Sequence, residues 1–508
     1  MIKFKITTKS YVFNDFSAFL EGPVEISMDK DCTDNIIRSN KLLMSSLKSG
    51  KTIYGVNTGF GKLSQIVINK NQQTELQYNL VRSHAASIGK PIDLGLVRIA
   101  MVLKLLTFSK GYSGISLDVV EKIIEFLNHD LIPVVPEKGS AGASGDLAPL
   151  ANMTLALIGE GKIYYLGKVY KAKYILNKIG VKPLTLSEKS GLSLVNGTQI
   201  STAFAIKNLM TNDILIKTAD IIGSISVEAS LSSREVFKSS IHKLKKHPGQ
   251  RLSAKNIWNL LRNSEIVNSH KFCEVVQDPY SFRCIPHIHG ACRDAMDGPI
   301  KMVNNEINSV SDNPLILKTG KVEYSGHFHA EHIAQALDFI AISTSELGAI
   351  SERRTHYFMK GAEGKLPLFL AINPGVESGY MIPQVVASTL ASENKTLSHP
   401  GSVDSIPTSG GQEDLVSMAP WCGMKLSQIQ KNVGHILAIE LLISSAATVL
   451  NHSKYKPGIG IRGIISKLDN IIPFKKGDRV YSDEIDVIYQ MLISGEIINL
   501  LHNTIKLD

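Results

Sequence analysis

A twelve-residue segment rich in small side chains offers the most specific chemistry in the sequence. Residues 139–150 read GSAGASGDLAPL, with Ala143-Ser144-Gly145 at the centre. Because Gly, Ala and Ser crowd the backbone little, one stretch of chain can approach another closely here. The amide nitrogen of Gly145 could attack the carbonyl carbon of Ala143, and loss of water from Ser144 would leave an exocyclic methylene, an electrophile. The same letters also fit a Gly-rich turn before a helix that starts near Asp146.

Two tyrosines and an arginine elsewhere suit proton transfer and carboxylate binding. Tyr54 precedes the Gly-rich loop 55–61, and a positioned tyrosine can act as a general base. Tyr280 and Arg283 follow Pro279, and a guanidinium presents a fork that matches a carboxylate. By residue type alone, Tyr54 could equally be a packed aromatic at a turn, and Tyr280 with Arg283 a surface pair.

Two histidine clusters suggest a different chemistry. Segments 287–289 (HIH) and 327–332 (HFHAEH) have spacings found in metal sites. If the two clusters met, they could form a metal hydrolase centre. The alternative is that these imidazoles fill polar positions in packed segments.

Composition and the distribution of charge argue against nucleic-acid binding. The 508 residues are 44% hydrophobic and 20% charged, as in globular proteins. The net charge is +9, but Lys and Arg are spread along the chain. The densest basic stretch, 242–251, has no interleaved aromatics and matches no nucleic-acid module. We therefore expect no nucleic-acid partner.

The cysteines and the apolar segments indicate the compartment. Five cysteines, widely spaced and with no CxxC, argue against a disulfide framework and a zinc ribbon. The N-terminus lacks the apolar core of a signal peptide. The best candidate for a membrane span, 435–450, carries His435 and Glu440, so we expect no membrane segment. A reducing cytoplasm fits these features best.

Long helices must position these side chains. No proline occurs in 184–247, 315–366 or 421–456, and each stretch is long enough for a long helix. Apolar residues fall at helical spacing within two of these stretches. Before these stretches, short segments on either side of Gly167 predict a hairpin at 163–170. We therefore predict a mainly α protein: a smaller mixed α/β N-terminal domain, 1–202, which carries the electrophile-forming loop, and a long-helix bundle, 203–508.

The string GSAGASGDLAPLA resembles the prosthetic-group signature of the aromatic amino acid lyase family. That family contains histidine, phenylalanine and tyrosine ammonia-lyases and related aminomutases. The resemblance continues in order along most of the chain, through the segments 54–61, 79–86, 194–199, 276–284, 311–314, 328–331, 351–354, 392–395, 403–409 and 412–418.

The resemblance implies a reaction and an assembly. The family converts the tripeptide to 4-methylideneimidazol-5-one (MIO) and needs no external cofactor or metal. The implied reaction is α,β-elimination of ammonia from an amino acid, in a homotetramer whose active sites combine residues of several subunits. Tyr54 would remove a β-proton, Tyr280 would take part in elimination, and Arg283 would hold the carboxylate. The implied substrate-binding residues also include Asn196, Gln277 and Phe328.

Two further positions favour L-histidine as the substrate, with urocanate as the product. The resemblance puts His84 in the segment that selects the side chain, and the carboxylate of Glu413 is typical of histidine lyases. An imidazole has a donor and an acceptor and can satisfy both groups.

Departures from the family pattern keep other activities open. Asn152, Gly410-Gly411 and Leu415 differ from the histidine-lyase form, and His327 and His332 replace other residues without an assigned role. A tyrosine or phenylalanine ammonia-lyase, or an aminomutase, is the main alternative. A non-catalytic helical assembly protein with this fold is another.

Overall fold

The computed structural model describes residues 2–271, 275–501 and 505–507. Helices contain 59% of the chain and strands 8%, in small sheets. The predicted mainly α fold class is therefore confirmed. Cys273 lies outside the described residues, and no disulfide joins the cysteines within them.

The helices are numbered in chain order. They are α1 (Ser17–Glu21), α2 (Lys30–Lys48), α3 (Gln73–His84), α4 (Leu94–Ser109), α5 (Leu117–Asn128), α6 (Leu147–Leu157), α7 (Ala172–Ile179), α8 (Ser190–Val195), α9 (Gln199–Ala229), α10 (Ser239–His242), α11 (Pro248–Leu260), α12 (Glu265–Ser269), α13 (Tyr280–Arg283), α14 (Ile285–Asp294), α15 (Asp297–Ile307), α16 (Glu331–Met359), α17 (Met381–Leu397), α18 (Ala419–Asn451), α19 (Arg462–Ile471), α20 (Tyr481–Ile493) and α21 (Glu496–Asn499).

Nine short strands form four small sheets within the described residues. Strands β1 and β2 pair in parallel, β3 with β5 and β8 with β9 pair antiparallel, and β4, β6 and β7 form a three-stranded sheet. Their bounds are β1 (Ile2–Ile6), β2 (Val24–Met28), β3 (Ile88–Pro91), β4 (Ile132–Pro133), β5 (Pro136–Lys138), β6 (Lys162–Tyr165), β7 (Lys168–Lys171), β8 (Leu315–Ile316) and β9 (Val322–Glu323).

The predicted hairpin is confirmed as β6 and β7. Tyr165 pairs with Lys168, so only Leu166 and Gly167 form the turn. Both have positive φ, 46° and 80°, as a two-residue turn that matches the twist of its strands requires.

Each of the three proline-free stretches corresponds to one long helix, as predicted, although the third helix begins two residues earlier and has Pro420 in its first turn. These are α9 with 31 residues, α16 with 29 and α18 with 33. By length and hydropathy, α16 and α18 could also cross a membrane. However, 61% of the most apolar 18-residue segment of α16 and 83% of that of α18 are buried inside the protein. Burial of that extent is typical of core helices.

The chain forms two compact units that are not continuous in sequence. The first unit contains Met1–Met210, Pro299–Asp338 and Pro400–Met424, and the second contains Thr211–Gly298, Phe339–His399 and Lys425–Asp508. The division into 1–202 and 203–508 stays a prediction.

In the first unit, helices α3, α6 and α8 pack against one another. Helix α3 ends at His84, α6 begins directly after Asp146, and α8 ends just before Asn196. Residues that are far apart in sequence are thus presented at the ends of three packed helices.

Candidate active site

The Ala143-Ser144-Gly145 loop lies directly against the turn that follows α8. Gly145 has φ +74° and forms a bridge with Gly197. The N–H of Asp146 donates to the Gly197 carbonyl at 2.8 Å, and the N–H of Gly197 donates to the Ser144 carbonyl at 3.5 Å. A Cβ on Gly145 would lie 2.2 Å from the Gly197 oxygen, so only glycine fits this approach.

Two further features of the loop are compatible with ring closure. The amide nitrogen of Gly145 donates no hydrogen bond to any described residue, and Ala143 is buried. On its other side the loop approaches Ser417, whose Oγ would lie 2.2 Å from a Cβ on Gly142. The compact backbone and the unengaged nitrogen fit the prosthetic group that the sequence predicts from this tripeptide.

The hydroxyl of Ser144 donates to Glu413 Oε1 at 2.9 Å. The other carboxylate oxygen, Oε2, accepts hydrogen bonds from Thr408 and Ser409, both at 2.6 Å. Burial raises the pKa of Glu413, but the three hydroxyl donors outweigh it and hold the pKa below its ordinary value. Glu413 is therefore an ionised carboxylate in contact with the residue expected to become the electrophile.

His84 ends α3 with its imidazole half-buried. Its Nδ1 lies 2.9 Å from the Leu80 carbonyl, which can only accept, so Nδ1 carries the proton and Nε2 is an acceptor. Burial lowers the pKa of His84, and neither the Leu80 carbonyl nor the charge of Glu413 restores it. His84 is therefore neutral at pH 7.

Tyr54 is fixed by the glycine-rich loop that follows it. The N–H of Gly61 donates to the phenol oxygen of Tyr54 at 3.1 Å, and the ring meets Phe60 edge to face at 6.2 Å. The side chain of Gln77 in α3 donates to the Gly55 carbonyl at 2.9 Å. The loop is thereby tied to the helix that carries His84.

These groups surround one cavity of about 910 Å³. Its lining consists of residues of the first unit among those the structure describes. The predicted site residues in that lining are Tyr54, His84, Ala143, Ser144, Asn196, Phe328 and Glu413. Gly145 lies beside Ser144 and outside the lining. The structure thus brings together a candidate base, the tripeptide and two polar groups that could select a side chain.

A buried ion pair, which sequence reasoning missed, holds Asn196. Its side-chain amide donates to Asp312 Oδ1 at 3.2 Å and to the Asn313 carbonyl at 3.1 Å. The ammonium of Lys189 donates to Asp312 Oδ2 at 2.9 Å, and both charged side chains are almost fully buried. Burial raises the pKa of Asp312, but Lys189 and Lys104 outweigh it, so the carboxyl is ionised.

A second buried lysine meets the same turn. Lys104 of α4 is fully buried, and its ammonium donates to the carbonyls of Asn196 at 2.5 Å and Ser193 at 3.0 Å. Only Arg98 and Lys104 interrupt the otherwise uncharged sequence of α4, and that is the one sequence signal that could have singled out Lys104.

The remaining predicted site residues, Gln277, Tyr280 and Arg283, belong to the second unit. The guanidinium of Arg283 stacks over the Tyr280 ring at 4.6 Å, and its Nε donates to the Asp278 carbonyl at 3.0 Å. Tyr280 is 70% exposed, and Gln277 is exposed as well. These three side chains lie on the surface of the chain.

The backbone of that segment is firmly anchored. Phe282 is buried and meets Tyr357 edge to face at 5.0 Å. Arg354, fully buried and paired with Glu440, donates to the Ser281 carbonyl at 3.3 Å. The exposed Tyr280 and the half-buried Arg283 therefore belong to a firmly anchored segment.

The histidine clusters have other partners. His289 is buried and its Nδ1 lies 2.9 Å from Asp220, which also accepts from Arg293 at 2.7 Å. His327 and His332 are exposed and line a smaller cavity of about 680 Å³ with Glu306. Within 2–271, 275–501 and 505–507, no group of three or more His, Cys, Asp or Glu is arranged to hold a metal ion.

Known proteins are similar to this chain in both sequence and fold. The sequence model of the aromatic amino acid lyase family matches residues 12–470. The chain belongs to this family. A histidine ammonia-lyase from Desulfotalea psychrophila is 45% identical over 423 residues, 83% of either chain. The crystal structure of a histidine ammonia-lyase from Trypanosoma cruzi matches with a TM-score of 0.90 and 33% identity, over 98% of this chain and 95% of that one.

A tyrosine aminomutase from Streptomyces globisporus has the same fold, with a TM-score of 0.93 and 27% identity over the full length of both chains. The family match and the relatives named histidine ammonia-lyase show that this chain is a carbon–nitrogen lyase.

The residues that depart from the histidine-lyase pattern lie in or near the cavity or within α6. Leu415 lines the cavity, and Gly410 and Gly411 both have positive φ in the turn before Glu413. Asn152 donates to the Ala148 carbonyl within α6. Only Leu415 among them adds a side chain to the cavity.

Proposed function

We propose that this lyase eliminates ammonia from L-histidine and forms urocanate. The contact between the Ser144 hydroxyl and Glu413, within a cavity that also contains His84 and Tyr54, carries the proposal. It puts the residue that would become an electrophile beside two groups that match an imidazole. Relatives named histidine ammonia-lyase support the same substrate.

We propose that Ala143-Ser144-Gly145 forms the MIO group by itself. The Gly145 nitrogen bonds to the Ala143 carbonyl carbon, and that carbonyl oxygen leaves as water. A second water takes the Ser144 hydroxyl and its α-hydrogen. The unengaged Gly145 nitrogen and the absence of a side chain at Gly145 support this reaction. The finished group supplies an electrophile that turns the substrate amine into a leaving group.

Residues of the chain complete the elimination. Tyr54, with its oxygen fixed by Gly61, accepts the β-proton. Asn196 helps to bind substrate beside Ser144, and Phe328 forms an aromatic wall. The bond between Cα and nitrogen breaks, a double bond forms between Cα and Cβ, and the amine leaves as ammonia.

The state of Glu413 explains a preference for histidine. Oε2 is held by Thr408 and Ser409, whereas Oε1 accepts from Ser144. When Ser144 loses its hydroxyl as water, Oε1 loses that donor and becomes an acceptor for an imidazole N–H. His84 offers a second acceptor at Nε2, so the two groups together match an imidazolium, which has two N–H donors, and a neutral imidazole donates to one of them. A phenylalanine ring would leave these groups unpaired, at a cost of about 1–3 kcal/mol each.

The assembly is proposed to be a cytoplasmic homotetramer in which Gln277, Tyr280 and Arg283 serve the cavity of another copy. The exposure of Gln277 and Tyr280, with Arg283 half-buried beside them on an anchored backbone, supports this arrangement. Large apolar side chains are exposed on α16 and α17 as well, including Phe339 at 63% and Ile382 at 57%. Exposed apolar faces of this kind are typical of subunit interfaces.

Co-expression of Ser144→Ala and Tyr280→Phe chains tests the shared site. Each variant alone should be inactive, and mixed assemblies should regain activity where an intact Ser144 meets an intact Tyr280 of another chain. Light scattering gives the mass directly. An active 55.5 kDa monomer would refute the assembly.

The substrate is tested with purified enzyme and each of L-histidine, L-tyrosine and L-phenylalanine. Formation of a conjugated acid is followed by ultraviolet absorbance, and products are separated to detect a β-amino acid. Urocanate as the main product is expected. A β-amino acid would instead establish an aminomutase, the activity named for the Streptomyces globisporus relative.

A further inference from the structure

Lys104 is a buried cation that the proposed elimination does not use. Its side chain is fully buried, yet it donates to two backbone carbonyls, Ser193 and Asn196, rather than to a carboxylate. Burying an ammonium without a directly bonded counter-ion is costly, so such a group is rarely retained for packing alone.

Two carboxylates and one ammonium act on the charge of Lys104. Burial lowers its pKa to about 7, Asp312 and Asp146 oppose this shift, and Lys189 adds to it. Asp312 already bonds to Lys189 and Asn196, which leaves the carbonyls as the direct acceptors of Lys104. The Lys104 ammonium therefore acts directly on the backbone of the turn that contains Asn196.

One peptide group connects Lys104 to the reacting tripeptide. Lys104 donates to the carbonyl of Asn196, and the N–H of the same peptide, on Gly197, donates to the Ser144 carbonyl. A cation at the carbonyl end of a peptide draws electron density from its nitrogen, so the N–H becomes a stronger donor. A single peptide group therefore lies between the Lys104 ammonium and the Ser144 carbonyl oxygen.

A stronger hydrogen bond matters at the carbonyl oxygen of Ser144. In the proposed group this carbonyl is conjugated with the methylene, so withdrawing electrons from the oxygen makes the methylene a better electrophile. Donors set in advance at such an oxygen accelerate reactions because they need no reorganisation.

We propose that Lys104 is a positioning residue that sets the electrophilicity of the Ala143-Ser144-Gly145 group through the Asn196–Gly197 peptide. This inference rests on the proposed formation of MIO. It adds a residue on α4 that contacts neither substrate nor the tripeptide.

The test compares Lys104→Met with wild type. Methionine retains much of the side-chain volume and removes the charge and both hydrogen bonds. Intact mass should still show the loss of two waters. The ultraviolet band of the group, taken as the difference from Ser144→Ala, should move to shorter wavelength because its carbonyl is less polarised. We expect kcat to fall roughly tenfold or more, with a smaller change in KM, since one donor is weakened rather than removed.

Lys122→Met is the matched control. Lys122 on α5 also donates to a backbone carbonyl, that of Lys182 at 2.6 Å, although unlike Lys104 it also pairs with a carboxylate, that of Glu125 at 2.5 Å. It does not line the cavity. Its band and its kcat should equal those of wild type. A Lys104→Met protein with a normal fold, band and kcat would overturn the inference, as would an equal shift in the control.

Two further measurements cover a Lys104→Met protein that fails to fold. Lys104→Gln removes the charge but keeps a donor and should give an intermediate band. In wild type, the band should move to shorter wavelength as pH rises through about 7, where Lys104 loses its proton. The shift should be absent from Lys104→Gln, which keeps Asp146 with the pKa that burial raises. A wild-type band that is constant with pH, or a Lys104→Gln band that moves as the wild-type band does, contradicts the inference.

The two proposals fail in different ways. An unmodified mass in active wild-type enzyme removes the MIO group and this inference with it. A mass that lacks two waters, combined with no effect of Lys104 on band or kcat, removes only the role of Lys104.

Discussion

The surroundings of Ser144 and the segment from Gln277 to Arg283 are built in opposite ways. Around Ser144 the functional groups are half-buried or buried, and Asn196 and Glu413 have their hydrogen-bond partners within the first unit. In the other segment the backbone is anchored, but Tyr280 is 70% exposed. The first region contains a cavity with its own polar groups, whereas the second offers a rigid surface. Anchoring an exposed tyrosine and a half-buried arginine so firmly is useful if another copy of the chain supplies the rest of their site.

Ser144→Ala gives the largest expected effect because it abolishes the first region's chemistry. Without the hydroxyl no second water can be lost and no methylene forms. Activity should be negligible although the protein folds, and intact mass should show the loss of two waters in wild type only. Thermal unfolding provides the control for folding. Wild-type activity with an unmodified mass would exclude the proposed group.

Arg283→Met tests whether the second region takes part. Two charge-assisted hydrogen bonds to a carboxylate contribute about 1.5–3 kcal/mol each, so kcat/KM should fall roughly 150- to 25,000-fold. Arg283→Lys should lose less, since it retains the charge but not the fork. Both variants should still lose two waters.

Arg38→Met is the control for loss of a surface arginine, because Arg38 bonds only to Asn35 of its own helix among the described contacts. Equal kcat/KM in Arg283→Met and Arg38→Met would show that the second region is not used.

Sequence patterns predicted the local features and missed the long-range ones. The helices α9, α16 and α18 follow from proline spacing, and the hairpin at 163–170 follows from its turn residues. Lys189 and Asp312 are 123 residues apart, and no periodicity links them. Lys104 interrupts the apolar sequence of α4, but that sequence does not indicate which groups it contacts.

The resemblance to a family identified site residues that spacing could not have joined. Ser144 and Glu413, for example, are 269 positions apart and in contact. Whether Tyr280 and Arg283 serve another copy depends on the assembly, which the sequence of one chain does not encode in any local pattern.

Glu413→Gln should have a smaller effect than loss of Arg283. The amide keeps an acceptor oxygen but can also present its NH₂ group to the imidazole N–H. An unsatisfied polar contact costs about 1–3 kcal/mol, so kcat/KM for histidine should fall roughly 5- to 150-fold. Activity toward phenylalanine, if measurable, should not fall by the same factor. A uniform loss for all substrates would assign Glu413 to the reaction rather than to selection of the side chain.

The pH dependence of His84 gives the smallest expected effect. Burial holds the pKa of His84 below its ordinary 6.5, so Nε2 remains an acceptor as pH falls through that value. Below the lowered pKa, the protonated ring would pair with Glu413, and both acceptors for the substrate would be lost together. The ratio of kcat/KM for histidine between wild type and His84→Gln should therefore be constant through pH 6.5 and decline only at lower pH. Because the substrate is the same in both proteins, its own titration cancels in the ratio. Glutamine keeps an acceptor that does not titrate, which makes it the matched variant. A ratio that already declines above pH 6.5 would mean that His84 is charged in the cavity, and a ratio that never declines would mean that its protonation has no part in binding.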